Sequence, residues 1–179
     1  MKSLLVTILL ALTIVGFSNA QGKMALGAGV IVSLPMGSFG DAANTGFGGT
    51  AAFELGFMPN LVGIGQVGYL TWGTDAANVS FSAVPVLVGV KYFFVPGVGF
   101  YGTGQLGLSF FSVETPSIHI PGVGTVGGGS ASESEFTFVV GAGYEVPVSP
   151  TFSLDFTGAF NIISDLNHIS IRAGGKVAL

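Results

Sequence analysis

The feature that most constrains this chain is alternation with a period of two, repeated from residue 24 to the C-terminal end. From Thr151 to Ile163, Phe152, Leu154, Phe156, Phe160 and Ile162 share one face, with Gly158 among them. Thr151, Ser153, Asp155, Thr157, Ala159 and Asn161 share the other. Such spacing marks a strand whose two faces meet different surroundings. Glu135 to Val146 repeats it: Phe136, Phe138, Val140, Ala142, Tyr144 and Val146 oppose Glu135, Thr137, Val139, Gly141, Gly143 and Glu145. At the end, Ile169, Ile171, Ala173, Val177 and Leu179 oppose His168, Ser170, Arg172, Gly174 and Lys176. Five further segments follow the pattern, at 24–34, 46–58, 60–73, 79–94 and 100–113. The first and third of these alternate less cleanly.

Every charge inside the segments falls on the polar face: Glu54, Lys91, Glu135, Glu145, Asp155, Arg172 and Lys176. A soluble sandwich would turn that face to water and the apolar face inward. A membrane barrel would do the reverse, with apolar residues on lipid and polar ones in the lumen. Composition favours the barrel, because 8% of the residues are charged against about 25% in an average soluble domain. Connections agree with it. Short ones (Pro59-Asn60, Val95 to Gly99, Pro147 to Pro150) alternate with longer ones (Pro35 to Thr45, Thr74 to Asn78, Thr115 to Ser134, Ser164 to Asn167). Short turns on one side and longer loops on the other are the pattern of outer-membrane barrels. Phe57, Tyr92, Phe93, Phe94, Phe100, Tyr144 and Phe152 cluster near segment ends, as an interfacial girdle would. The expectation is an all-β chain folded as an eight-stranded antiparallel up-and-down transmembrane β-barrel, closed because lipid penalises unpaired edges.

Residues 1–20 read as a secretory signal peptide. Lys2 precedes the apolar run Leu4 to Val15, and Ser18 and Ala20 supply small residues before Gln21. Residues 21–179 are then the barrel domain. The run is shorter than the roughly 20 residues a spanning helix needs. With no cysteine in the chain, disulfides, cysteine metal sites and lipid attachment through an N-terminal cysteine are excluded. Export and barrel together place the protein in the outer membrane of a Gram-negative-type bacterium. An even strand number would put both termini on the periplasmic side, with no periplasmic module after the last strand.

Particular stretches resemble a known family. Pro85-Val86-Leu87-Val88-Gly89-Val90-Lys91-Tyr92-Phe93-Phe94, followed by Phe100-Tyr101-Gly102-Thr103-Gly104, is similar to the small outer-membrane β-barrel domain of bacterial surface proteins, the OmpA/OmpX/opacity-like barrels. Gly141 to Pro147 and Phe152 to Phe156 continue the likeness. The last eight residues resemble the assembly signal on the final strand of such barrels, with Arg172, Gly174, Val177 and Leu179 in its polar, Gly and hydrophobic slots. Leu179 departs from the terminal aromatic usual there. The resemblance implies outer-membrane lipid and the barrel assembly machinery as partners, and a role in surface integrity, adhesion or defence.

Catalytic and cofactor motifs are not evident. Gly122 to Gly129 lacks the GxxxxGK[ST] phosphate-loop spacing and reads as a flexible external loop. His119 and His168 have no paired ligand spacing. His168 with Asp165 and Ser164 or Ser170 is close in sequence, which is not triad geometry. Glu114, Glu133 and Glu135 read as a solvated acidic rim rather than a cation site. Five lysines and arginines against nine acidic residues leave no basic patch for nucleic acid. No enzyme, metal or cofactor is therefore expected.

An eight-stranded barrel is just wide enough for side chains to fill it. Glu54, Lys91, Gln105, Glu145, Asp155, Arg172 and Lys176 are then candidates for a lumenal polar core, with Asp155 and Arg172 on neighbouring strands. Buried charges of this kind need partners. Small inward residues (Gly46, Gly48, Gly89, Gly107, Gly141, Gly143, Gly174) leave room for a ligand cavity or path. Two functions follow. One is a structural, surface-interacting barrel that contacts partners through residues 115–134. The other is a narrow transporter or binder of small or apolar molecules.

Overall fold

A chain of amphipathic strands joined by short connections satisfies its backbone most simply by pairing each strand with the next and the last with the first. The computed structural model has this arrangement. It describes residues 23–74, 80–95, 97–120 and 124–179, so the signal-peptide reading of 1–20 lies outside the described residues. The strands are β1 Met24–Pro35, β2 Gly46–Met58, β3 Leu61–Gly73, β4 Ser80–Phe93, β5 Phe100–Ile120, β6 Gly124–Pro147, β7 Phe152–Ile162 and β8 His168–Ala178. They form a closed barrel in sequence order. All eight pairings are antiparallel, and β1 closes on β8 from Ala25↔Ala178 to Pro35↔His168.

Closure decides which way each side chain points. Along β4, Val84, Val86, Val88, Val90 and Tyr92 are exposed on the outer wall, while Ala83, Leu87 and Lys91 are buried inside. The outside is thus a continuous apolar belt, far larger than water-soluble monomers expose. Phe57, Tyr92, Phe94, Phe100, Tyr144 and Phe152 ring the end where β1 begins and β8 finishes, here called the terminal end. Phe47, Tyr69, Phe110 and Phe136 lie outward nearer the other end, here called the loop end. Phe93 leaves the expected girdle: it has the inward parity of Lys91 and packs on Tyr101, ring centroids 5.4 Å apart.

Two further expectations are corrected, and one connection carries an element of its own. Within the expected loop 115–134, residues 115–120 and 124–134 are strand, because β5 continues to Ile120 and β6 begins at Gly124. Thr115 pairs with Gly129, Ser117 with Gly127 and Ile118 with Val126, so the glycine run is one side of a ladder whose other side supplies β-branched residues. The partner strand satisfies a backbone whose composition alone reads as flexible. The Pro35–Thr45 connection carries a short helix, α1 Ser38–Ala42, whose Phe39 is buried. The inward glycines are not spare volume. A Cβ at Gly46 would strike the Trp72 ring and one at Gly143 the Tyr101 ring, so large neighbours already occupy those spaces.

Candidate functional site: the barrel interior

Neighbouring strands bring the charged residues to one level near the terminal end. Glu145 and Asp155 lie directly opposite each other on β6 and β7, an arrangement that repels unless a cation intervenes. Lys91 from β4 intervenes. Its Nζ donates to Glu54, to Asp155 Oδ2 at 2.6 Å and to Glu145 Oε1 at 3.2 Å, and the residue is 1% exposed. Lys176 Nζ lies 2.8 Å from Glu54 Oε2 and 2.6 Å from Glu145 Oε2. Arg172 Nη2 lies 2.8 Å from Asp155 Oδ1. Three cations therefore meet three carboxylates, and the cluster is neutral as a set. Tyr101 adds a hydroxyl donor to Asp155 Oδ1 at 2.9 Å. Its ring sits under Lys91 Nζ, 4.6 Å from the centroid, where the π-face attracts the ammonium.

Oxygens of Glu54, Glu145 and Asp155 approach within 4.8 Å of one another, the spacing of a cation site. The Lys91 ammonium fills the position a metal would take. Gln105 stands apart from the ions: its Nε2 is 3.5 Å from Thr103 Oγ1, and its Oε1 has no partner. Thr50 Oγ1 is unpartnered as well. Both residues line a cavity of about 40 Å³ above the cluster, with Gln66, Ser109 and Asn161. That is room for about three waters, at roughly 10–15 Å³ each, and too little for a solute.

Beyond the cavity the loop end is closed by an apolar plug that sequence reasoning missed. Trp72, Phe39, Phe111, Leu70, Ile31 and Ile163 form a buried cluster. Phe39 meets Trp72 edge-on at 5.4 Å, and Phe111 stacks on it at 6.3 Å. Trp72 is 1% exposed, and its Nε1 donates to Ser33 Oγ at 3.0 Å. At the opposite end, below the ion cluster, the barrel opens into a bowl of about 870 Å³ that reaches Glu54, Glu145 and Lys176.

The remaining candidates do not converge. His168 is buried beside Trp72, and its Nδ1 is 3.2 Å from the Leu166 carbonyl. Ser170 Oγ accepts from Asn161 Nδ2 at 2.8 Å, so no nucleophilic set is assembled there. Glu133 is exposed on β6 and Glu135 half-buried. Of the C-terminal residues, Arg172 and Gly174 face the lumen, Val177 and Leu179 are exposed, and Leu179 N donates to Met24 O at 2.8 Å. Pro85, which has no N–H, sits mid-strand in β4. The β3–β4 ladder has pairs at Val67↔Val86 and Leu70↔Ala83 and lapses between them.

No protein-family model and no curated protein sequence matches the chain. Solved structures do. The attachment invasion locus protein Ail of Yersinia pestis matches with a TM-score of 0.62 at 16% identity, over 89% of this chain and 100% of that one. Ail in complex with the heparin analogue sucrose octasulfate matches equally, with a TM-score of 0.62. Neisserial surface protein A has a TM-score of 0.56 at 16% identity, over 87% of this chain and 97% of that one. The N-terminal β-barrel domain of Pseudomonas aeruginosa OprF has a TM-score of 0.51 at 12% identity, over 89% and 100%. The fold is that of the small eight-stranded outer-membrane barrels.

Proposed function

We propose that this chain, having the fold of the small outer-membrane barrels, is a surface-interaction protein of the outer membrane. Residues 1–20 export it, and Arg172, Gly174, Val177 and Leu179 present its last strand to the barrel assembly machinery. Glu54, Lys91, Glu145, Asp155, Arg172 and Lys176 serve as a structural core, with Gln105 facing the small cavity above them, and no catalysis is assigned. The observation that carries this reading is the β5–β6 hairpin. It continues past the last β4 pairing at Ser80↔Glu114 and the last β7 pairing at Phe138↔Ile162, so it stands beyond the barrel wall as a contact surface. The neighbours fit such a role, since Ail is named for attachment and invasion and Neisserial surface protein A for the surface.

The test is gel mobility of the outer-membrane fraction with and without boiling, for the full chain and for a chain whose residues 115–129 are replaced by an Asn-Gly turn. Both should run faster unboiled, and cells displaying the trimmed chain should lose adhesion. Recovery only in the soluble periplasm would end the reading, as would unchanged adhesion after trimming.

A further inference from the structure

The bowl at the terminal end has no part in the surface-interaction role. It exists because the last inward layer of the barrel is small there. Past the ion cluster that layer includes Gly56, Gly99, Ser153 and Ala178, whereas the corresponding level at the loop end is filled by Trp72, Phe39 and Phe111. Side chains of ordinary size just fill an eight-stranded barrel, so small ones leave space, here about 870 Å³. Pockets that take small molecules hold roughly 300–1,000 Å³, and barrel mouths are among their usual places.

The lining selects the occupant. Met24, Met58, Val62 and Phe93 make much of the wall apolar, and methionine adapts its shape to what it meets. The floor is the outer side of the ion cluster. Lys176 is its most exposed member, with 17% of the side chain accessible against 7% for Glu54 and 11% for Glu145. Both carboxylates are already paired, each with Lys91 and Lys176. Lys23 also lines the bowl. It is exposed, and among the described residues no carboxylate pairs with it. A neutral cluster and one free lysine leave the bowl with a single positive charge beside an apolar wall. That combination fits one anionic group on one apolar tail, and it repels a cationic amphiphile.

We propose that the terminal bowl binds a single-tailed carboxylate amphiphile, a long-chain fatty acid. Its carboxylate lies on Lys23 and its tail against Met24, Met58, Val62 and Phe93. The ligand enters and leaves by the terminal side, because the Lys91 cluster closes the way further in. The site does not depend on the hairpin and stands whether or not the chain acts in adhesion.

The probe is palmitate with a diazirine on its tail, photolysed with the full chain refolded in phosphatidylcholine nanodiscs and mapped by peptide mass spectrometry. Saturable labelling of Met24, Met58, Val62 or Phe93 is expected, competed by unlabelled palmitate and not by its methyl ester. Outer-belt residues such as Val30 and Val88 report partition into the bilayer and should label without saturating. Lys23→Met should raise the concentration for half-maximal labelling about tenfold, the equivalent of one lost hydrogen bond to a charged group. Lys23→Arg should retain the labelling. Gly56→Leu should abolish it by filling the bowl, since a Cβ at Gly56 would lie 3.5 Å from the Lys23 carbonyl oxygen, an ordinary contact that leaves the wall in place. Faster gel mobility of each unboiled variant verifies that it has folded. Labelling confined to the outer belt, equal competition by the methyl ester, or indifference to both Lys23→Met and Gly56→Leu would overturn the proposal. Loss of bowl labelling in phosphatidylglycerol nanodiscs, with belt labelling retained, would overturn it as well and assign the bowl to a phospholipid headgroup.

Discussion

The two ends of the lumen are closed by opposite means. Near the terminal end, Lys91, Lys176 and Arg172 neutralise Glu54, Glu145 and Asp155 in a network where each charge has a named partner. At the loop end, Trp72, Phe39, Phe111 and Ile163 close the barrel by packing alone, with one Trp72–Ser33 hydrogen bond. The first depends on charge balance: removing one ion strands others in low dielectric, although an apolar replacement of the whole set could be neutral or better. The second depends on shape, since a deleted ring leaves a hole whose energy follows its volume. One chain thus carries a closure sensitive to charge count and another sensitive to volume.

The largest effect should come from Lys91→Met, which leaves three carboxylates without their common cation. A loss of about 5 kcal/mol is expected in urea unfolding of the refolded barrel. Adding Asp155→Asn should restore part of that loss, whereas two independent losses would break the charge-balance account. Trp72→Ala should lose about 4 kcal/mol, and a conservative Phe at 72 should recover most of it. Tyr101→Phe keeps the ring beneath Lys91 and deletes the donor to Asp155, so a loss of about 1–2 kcal/mol is expected in the same assay. Smallest of all, Thr50→Val should move stability by less than about 1 kcal/mol, since the hydroxyl has no protein partner. A larger loss would place ordered water on Thr50 and make the cavity a third element of the closure.

Much of this was legible in the sequence, and the parts that were not have physical reasons. Where one wall met lipid-like surroundings and the other a polar lumen, as along Val84 to Tyr92, parity alone told inside from outside. The placement of Glu54, Lys91, Asp155 and Arg172 on the inner face followed from the same rule. At the loop end both faces are apolar: Trp72 and Leu70 point inward while Tyr69 and Val67 point outward. Alternation vanishes there, and so did any sign of the plug. The hairpin was hidden for a different reason. Gly is depleted in strands taken singly, and the pairing of Thr115 with Gly129 through Ile120 with Gly124 sets a glycine-rich side against one that carries β-branched residues, which composition along the chain does not reveal. Glycines misled in the other direction, since Gly46 and Gly143 looked like empty space and are filled by Trp72 and Tyr101 from neighbouring strands.

A lumen closed at both levels leads to one direct measurement, the ionic conductance of the refolded barrel in a planar lipid bilayer. Insertion would be verified by faster gel mobility of the unboiled protein. Baseline current equal to that of a protein-free bilayer is the predicted result. Stable, reproducible conductance steps from the wild-type chain would contradict it, because no ion can pass both the Lys91 cluster and the Trp72 plug as they stand.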